Sequence, residues 1–171
     1  LVMEIFLRLR PDLRPYAIYP LLHDAHEAFI GDWTEPAFRS FCEGVASEFK
    51  RSRFNPFDRD DVIAAMQAAR ARQQVKLDSD VRSALGIAPL WGTLSRPEEI
   101  TMVIGKADHF ARAIEWATFM PAANGPCPWP APPFAMPRLK PLAPAVAAEK
   151  FTAAVERELA LLRTRSTGAA A

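Results

Sequence analysis

Residues 20–36 have the sequence Pro-Leu-Leu-His-Asp-Ala-His-Glu-Ala-Phe-Ile-Gly-Asp-Trp-Thr-Glu-Pro. His23 and Asp24 are adjacent in it, Glu27 follows Asp24 by three residues, and Gly31-Asp32 comes near its end. Ligand-type and acid/base side chains are therefore concentrated in a stretch otherwise rich in leucine, alanine, phenylalanine and isoleucine. Because such groups are costly to bury unless they are paired or bind a cation, the stretch predicts a functional site.

The pattern of this stretch predicts a helix. Proline is tolerated in a first helical turn, so the helix is expected to begin between Tyr16 and Pro20. It ends at Ile30, because Gly31 is typical of the position after a helix. His23 and Glu27 would share one face, with Asp24 as the next residue round. One metal ion can then lie between His23 and Asp24 while Glu27 reaches over from the following turn.

Two sequence blocks resemble the HD-domain metal-dependent phosphohydrolases, in particular the bacterial 5'-deoxynucleotidases and phage nucleotide phosphohydrolases. That group's pattern is His-Asp-x-x-Glu-x-x-x-Gly-Asp, followed by a short loop closed by proline. It is matched here by His23, Asp24, Glu27, Gly31, Asp32 and Pro36. The family's distant last ligand is an aspartate on a helix that runs to a Met-Pro end. Residues 106–121, which contain Asp108 and end in Met120-Pro121, resemble that helix.

The resemblance implies an enzyme site. His23, Asp24 and Asp108 would bind a divalent metal ion, such as Mn²⁺, Co²⁺, Mg²⁺ or Fe²⁺. Glu27 and Asp32 would be the acid/base pair, and which of them activates the water and which protonates the leaving oxygen stays open.

Other polar and aromatic residues have weaker expected roles. Trp33 either stacks on a base or packs on the core, and Arg39 offers a phosphate contact where many relatives have a lysine one residue earlier. His26 and His109 are expected to be packing or surface residues. Glu115 shares a face with Asp108 and is expected to be a supporting or structural carboxylate.

The family's first metal ligand, a histidine, and an arginine that meets the substrate phosphate have no counterpart in this sequence. Leu1 to Arg10 has the spacing of an amphipathic helix without an N-cap, and it begins with leucine. We therefore expect that the chain opens inside a helix whose start is missing, and that in this form it binds metal and hydrolyses nucleotides weakly. In-frame upstream DNA encoding a histidine-containing helix would support this expectation.

Composition narrows the class of protein. The 171 residues suit one domain, and a formal charge of +1 gives no electrostatic case for nucleic-acid binding. No apolar stretch approaches the ~20 residues of a membrane span, and no secretory signal is evident. Cys42 and Cys127 are far apart and are expected to be free thiols in a reducing compartment. A cytoplasmic protein is predicted, with a nucleotide as small-molecule partner and a homodimer as a compatible assembly.

The predicted fold is all-α, an HD-domain-like compact bundle of about six or seven helices. Besides the helix that ends at Ile30, helices are expected over 1–10, 36–53, 59–75, 78–86 and 145–163, and one after a Ser95–Glu98 capping box that contains Asp108. Residues 1–163 would form one domain with a proline-rich loop at 121–144, followed by a disordered tail at 164–171.

These expectations favour a 5'-nucleotidase that releases phosphate from (deoxy)nucleoside monophosphates. A (deoxy)nucleoside triphosphohydrolase would share the same metal core. A catalytically weakened HD-like domain that binds nucleotide or a partner protein is the alternative from another class, and it predicts no metal uptake. A purely structural helical bundle is the third alternative.

Overall fold

The computed structural model describes residues 1–31, 35–51, 58–87, 96–120, 125–135 and 139–168. Every regular element in these residues is helical, which confirms the predicted all-α class. The elements are one 3₁₀-helix, η1, and seven α-helices: α1 (Val2–Leu9), η1 (Pro11–Tyr16), α2 (Ile18–Leu21), α3 (Glu27–Ile30), α4 (Glu35–Arg51), α5 (Arg59–Ala84), α6 (Pro97–Phe119) and α7 (Pro144–Gly168). None of these helices has both the length and the apolar character needed to span a bilayer.

Contacts divide the chain into two compact units, Leu1–His23 with Leu94–Ala171, and Asp24–Thr93. In the first unit, α1 packs against α6. The amphipathic α1 buries Ile5 and Phe6 completely, and α6 buries Ile100 and Ala107. The core of the first unit thus includes the apolar faces of two helices, α1 and α6, that are far apart in the sequence.

The proline-rich segment of the first unit has no regular structure where it is described, over 125–135 and 139–143. Arg8 of α1 contacts it in two ways. Its Nη1 donates to the Ala135 carbonyl at 2.8 Å, and its guanidinium lies 5.6 Å from the centre of the Phe134 ring. Trp129 packs edge to face on Trp116 of α6, with ring centres 5.9 Å apart. These contacts anchor the segment to α1 and α6.

Helix α7 contacts α2 in the first unit and continues to Gly168, five residues beyond its predicted end at Arg163. Its one buried acidic residue among the described side chains, Glu158, forms a two-point ion pair with Arg14 of η1. This ion pair connects the last helix to the segment that leads into α2.

In the second unit, α4 packs against α5. The Asp58 side chain accepts from the Arg59 N–H and caps α5, as predicted. The separate helices expected over 59–75 and 78–86 form one helix, because no glycine or proline interrupts residues 75–80 and a Lys76–Asp80 ion pair spans the expected break. After α5, Gly86 adopts a φ of 72° and the chain turns through the hydrogen bonds that end many helices.

Candidate functional site

His23 lies in a break between α2 and α3, and the continuous helix predicted here is wrong. The Nδ1 atom of His23 is 3.1 Å from the carbonyl oxygen of Pro20. In a continuous helix, that carbonyl would accept from the Asp24 N–H. A side chain that bonds to a nearby carbonyl competes with the helical ladder. The helix therefore stops at Leu21 and resumes at Glu27.

The same hydrogen bond determines which ring nitrogen of His23 has the proton. A carbonyl oxygen only accepts, so Nδ1 donates. In the neutral ring, Nε2 then has the lone pair. Histidines that bind metals are commonly oriented this way, with the second ring nitrogen donating to a carbonyl or carboxylate. The His23 side chain is 19% exposed, so the ring is largely enclosed while Nε2 is directed at Asp108.

Asp108 of α6 faces His23 within the first unit. Its Oδ1 is 3.6 Å from Nε2 of His23, and its Oδ2 is 2.8 Å from Nη2 of Arg112. Burial raises the pKa of Asp108, but the contact with His23 and the positive charge of Arg112 lower it more, so the net pKa lies below the ordinary value. The carboxyl group is therefore ionised at neutral pH, as a metal ligand must be.

The His23–Asp108 pair has donor types and a spacing that suit a divalent cation. Bonds from a metal to histidine nitrogen or carboxylate oxygen are about 2.1 Å long, so two ligand atoms on one ion lie ~3.0 Å apart at a right angle and ~3.6 Å apart near 120°. The observed 3.6 Å separation falls within that range. A proton on Nε2 makes this contact one that lowers the pKa of Asp108, and in the neutral ring a cation would take the place of that proton, so the pair fits the predicted metal.

Asp24, the third predicted ligand, is the first residue of the second unit. The peptide bond to His23 keeps the two Cα atoms about 3.8 Å apart. Within the second unit, the Asp24 carbonyl accepts from the Glu27 N–H at 2.9 Å. Asp24, His26 and Glu27 each offer one ligand-type atom, and these atoms lie within 4.8 Å of one another. Asp24 and the acid/base candidate Glu27 are thus close neighbours.

His26 is a packing residue, as expected. The residue is 8% exposed, and its Nδ1 lies 3.0 Å from a carboxylate oxygen of Asp78 on α5. The contact holds the turn before α3 against α5 within the second unit. The contact between Nδ1 and Asp78 gives His26 a packing role within the second unit.

The remaining predicted site residues are placed as follows. Asp32 and Trp33 lie outside the described residues. Arg39 is on α4 with a side chain 71% exposed, and it pairs with Glu43 at 3.4 Å. His109 and Glu115 are exposed on α6.

The second unit also contains a mainly apolar pocket of about 420 Å³, lined by Ile30, Phe38, Phe41, Met66, Ala69, Arg70 and Gln73. The Arg70 guanidinium lies over the Phe38 ring, 4.4 Å from its centre. The pocket lining includes none of the predicted site residues.

Comparison with known proteins found no matching family model, no matching curated protein and no matching solved structure. The HD-domain resemblance therefore rests on the sequence motifs.

Sequence reasoning did not single out Arg112, which the structure places against a predicted metal ligand. The available signal was its position four residues after Asp108, since residues four apart on a helix are neighbours.

Proposed function

We propose that this protein is a metal-dependent phosphohydrolase acting on nucleotides, specifically a 5'-nucleotidase that releases phosphate from (deoxy)nucleoside monophosphates. One observation supports the metal site above all others. The Nε2 atom of His23 faces an oxygen of Asp108 at 3.6 Å, while the Pro20 carbonyl holds the other ring nitrogen. The nucleotide substrate is inferred from the two sequence blocks that resemble HD-domain enzymes.

In this proposal, His23 and Asp108 bind a divalent cation, and Asp24, next to His23 in the chain, is the third ligand. When bound, the cation would neutralise charge on the phosphoryl oxygens and lower the pKa of a coordinated water. The Pro20 carbonyl keeps His23 in the tautomer that presents Nε2. The other oxygen of Asp108, Oδ2, pairs with Arg112.

Hydrolysis consumes one phosphate monoester and one water and yields a nucleoside and inorganic phosphate. A base must accept a proton from the water, and an acid must supply one to the leaving 5' oxygen. Glu27 and Asp32 are the residues proposed for these two roles. Either carboxyl group can take either role in this proposal.

The first test measures Mn²⁺ binding by the free-ion EPR signal in the full chain and in two histidine variants. His23→Ala removes the proposed ligand, and His109→Ala, on the exposed surface of α6, is the matched control. We expect His23→Ala to weaken Mn²⁺ binding by at least ~10-fold, which is the lower end for loss of groups that support a metal site. His109→Ala should bind like the unaltered protein. Equal binding in both variants would remove His23 from the site.

A second measurement identifies the substrate. The Mn²⁺-loaded protein is incubated with deoxynucleoside mono- and triphosphates, and released phosphate, pyrophosphate and triphosphate are separated. Phosphate from monophosphates supports the 5'-nucleotidase. Triphosphate from triphosphates would instead assign a triphosphohydrolase. No metal binding and no turnover would favour a catalytically inactive domain.

A further inference from the structure

Arg112 is a cation held directly against the proposed metal site. Its Nη2 lies 2.8 Å from Oδ2 of Asp108, while the other oxygen of the same carboxylate faces His23. From this geometry we infer that Arg112 contacts the phosphate group of the substrate. The inference rests on the proposed phosphohydrolase function and assigns its phosphate-binding residue.

The Arg112 side chain retains the means to bind a second anion. A guanidinium has five N–H donors in a planar fork, and that fork matches phosphate oxygens. The contact with Asp108 engages Nη2. The side chain is 50% exposed, so a ligand from solvent can reach it. An anion beside the His23–Asp108 pair would therefore lie within range of its remaining donors.

Charge balance gives Arg112 a specific part in substrate attraction. The carboxylates of Asp24 and Asp108 together cancel the charge of a divalent cation, and His23 adds none in the neutral form. A phosphate monoester has a charge of about −1.5 to −2 at pH 7. Arg112 provides a full positive charge in direct contact with one of these ligands. Without Arg112, the attraction for the phosphate dianion would depend on a complex of metal ion and ligands with no net charge.

An ordinary helical ion pair predicts something different. Exposed pairs four residues apart stabilise a helix by only a few tenths of a kcal/mol, and removing one affects stability without affecting anion binding. Asp108 is more enclosed than the partners in such pairs, with a side chain 19% exposed, and its Oδ1 atom faces His23. Anion affinity therefore distinguishes the two roles of Arg112.

The test compares Arg112→Gln, Arg112→Lys and Lys106→Gln in the full chain. Lys106 is exposed on the same helix, about 200° around the helix axis from Asp108. Lys106→Gln therefore removes one positive charge, as Arg112→Gln does, but from another face of the helix. Calorimetry measures the affinity of the Mn²⁺-loaded protein for inorganic phosphate. Steady-state kinetics give kcat and KM for a deoxynucleoside monophosphate at several ionic strengths, and Mn²⁺ affinity is measured separately.

We expect Arg112→Gln to weaken phosphate binding and raise KM by about 10- to 100-fold, the range for hydrogen bonds to charged groups. The dependence of kcat/KM on salt should flatten, because a steering charge is lost. Arg112→Lys should restore part of the affinity, and Lys106→Gln should behave like the unaltered protein. Mn²⁺ affinity should be unchanged in all three variants.

The possible failures are distinguishable. If Arg112→Gln binds phosphate as Lys106→Gln does while hydrolysis continues, the inference is wrong and the proposed function stands. If Mn²⁺ affinity and phosphate affinity fall together, Arg112 only positions Asp108, and the phosphate contact is overturned. If the unaltered protein neither binds phosphate nor hydrolyses monophosphates, the proposed function fails and the inference falls with it.

Discussion

Replacing Glu158 with glutamine tests the ion pair that connects α7 to η1. The Glu158 side chain is 4% exposed, and its two oxygens accept from Arg14 at 2.8 and 3.0 Å. Arg157 adds two further contacts, at 3.1 and 3.3 Å. Glutamine keeps the shape of the side chain, but it removes the negative charge and turns an amide N–H₂ toward guanidinium donors.

The expected loss of stability follows from these contacts. A hydrogen bond to a charged group contributes about 1.5–3 kcal/mol, and removing one partner of a fully buried ion pair costs about 3–5 kcal/mol. Arg14 is 38% exposed, so water can solvate its guanidinium once Glu158 is replaced. The loss of stability should therefore lie in the range of about 1.5–3 kcal/mol. We expect a loss of about 2 kcal/mol in the free energy of unfolding. At ~2–4 °C per kcal/mol for a chain of this size, Tm should fall by about 4–8 °C.

Calorimetric melting and urea unfolding followed by circular dichroism measure this effect. Glu156→Gln is the matched control, because Glu156 is exposed on the same helix two residues earlier. Its stability should change by no more than about 0.5 kcal/mol. A double-mutant cycle with Arg14→Gln isolates the pairwise energy. If Glu158→Gln and Glu156→Gln unfold alike, the ion pair contributes nothing measurable and the argument from burial is refuted.

Two further predictions concern glycine positions and the titration of Asp108. Gly105→Ala in α6, where an added Cβ meets no atom within 4 Å, should stabilise the protein by about 0.5–1 kcal/mol. Gly86→Ala should destabilise it, because the φ of 72° there is unfavourable for a residue with a Cβ. Urea unfolding of both variants checks that the free energy of unfolding rises in the first and falls in the second. Asp108 has a lowered pKa in the folded state, so its contribution to stability is present above the ordinary aspartate pKa of about 3.9 and is lost as the pH falls through the folded value. In the metal-free protein, Arg112→Gln should raise the pKa of Asp108 in a carboxyl NMR titration and move acid unfolding to higher pH. An unchanged titration would contradict Arg112 as a cause of the lowered pKa.

The sequence by itself determined features that depend on neighbouring residues. The cap at Asp58 and the stop at Gly31 were predicted correctly, because a cap or a positive φ is a property of a few adjacent residues. The all-α class likewise follows from local hydrophobic periodicity. Fusion of the helices expected at 59–75 and 78–86 shows the limit of this reasoning, since polar residues typical of caps also occur inside a long helix.

Only the tertiary structure decided the geometry of the candidate site. The break between α2 and α3 depends on the His23 ring bonding to the Pro20 carbonyl, and periodicity does not reveal a side chain that competes with the backbone. His23 and Asp108 are 85 positions apart in the chain (108 − 23), and the sequence motifs predicted that they would meet without showing how. Their separation is set by how α6 packs within the first unit, because packing of distant segments is not encoded in local spacing.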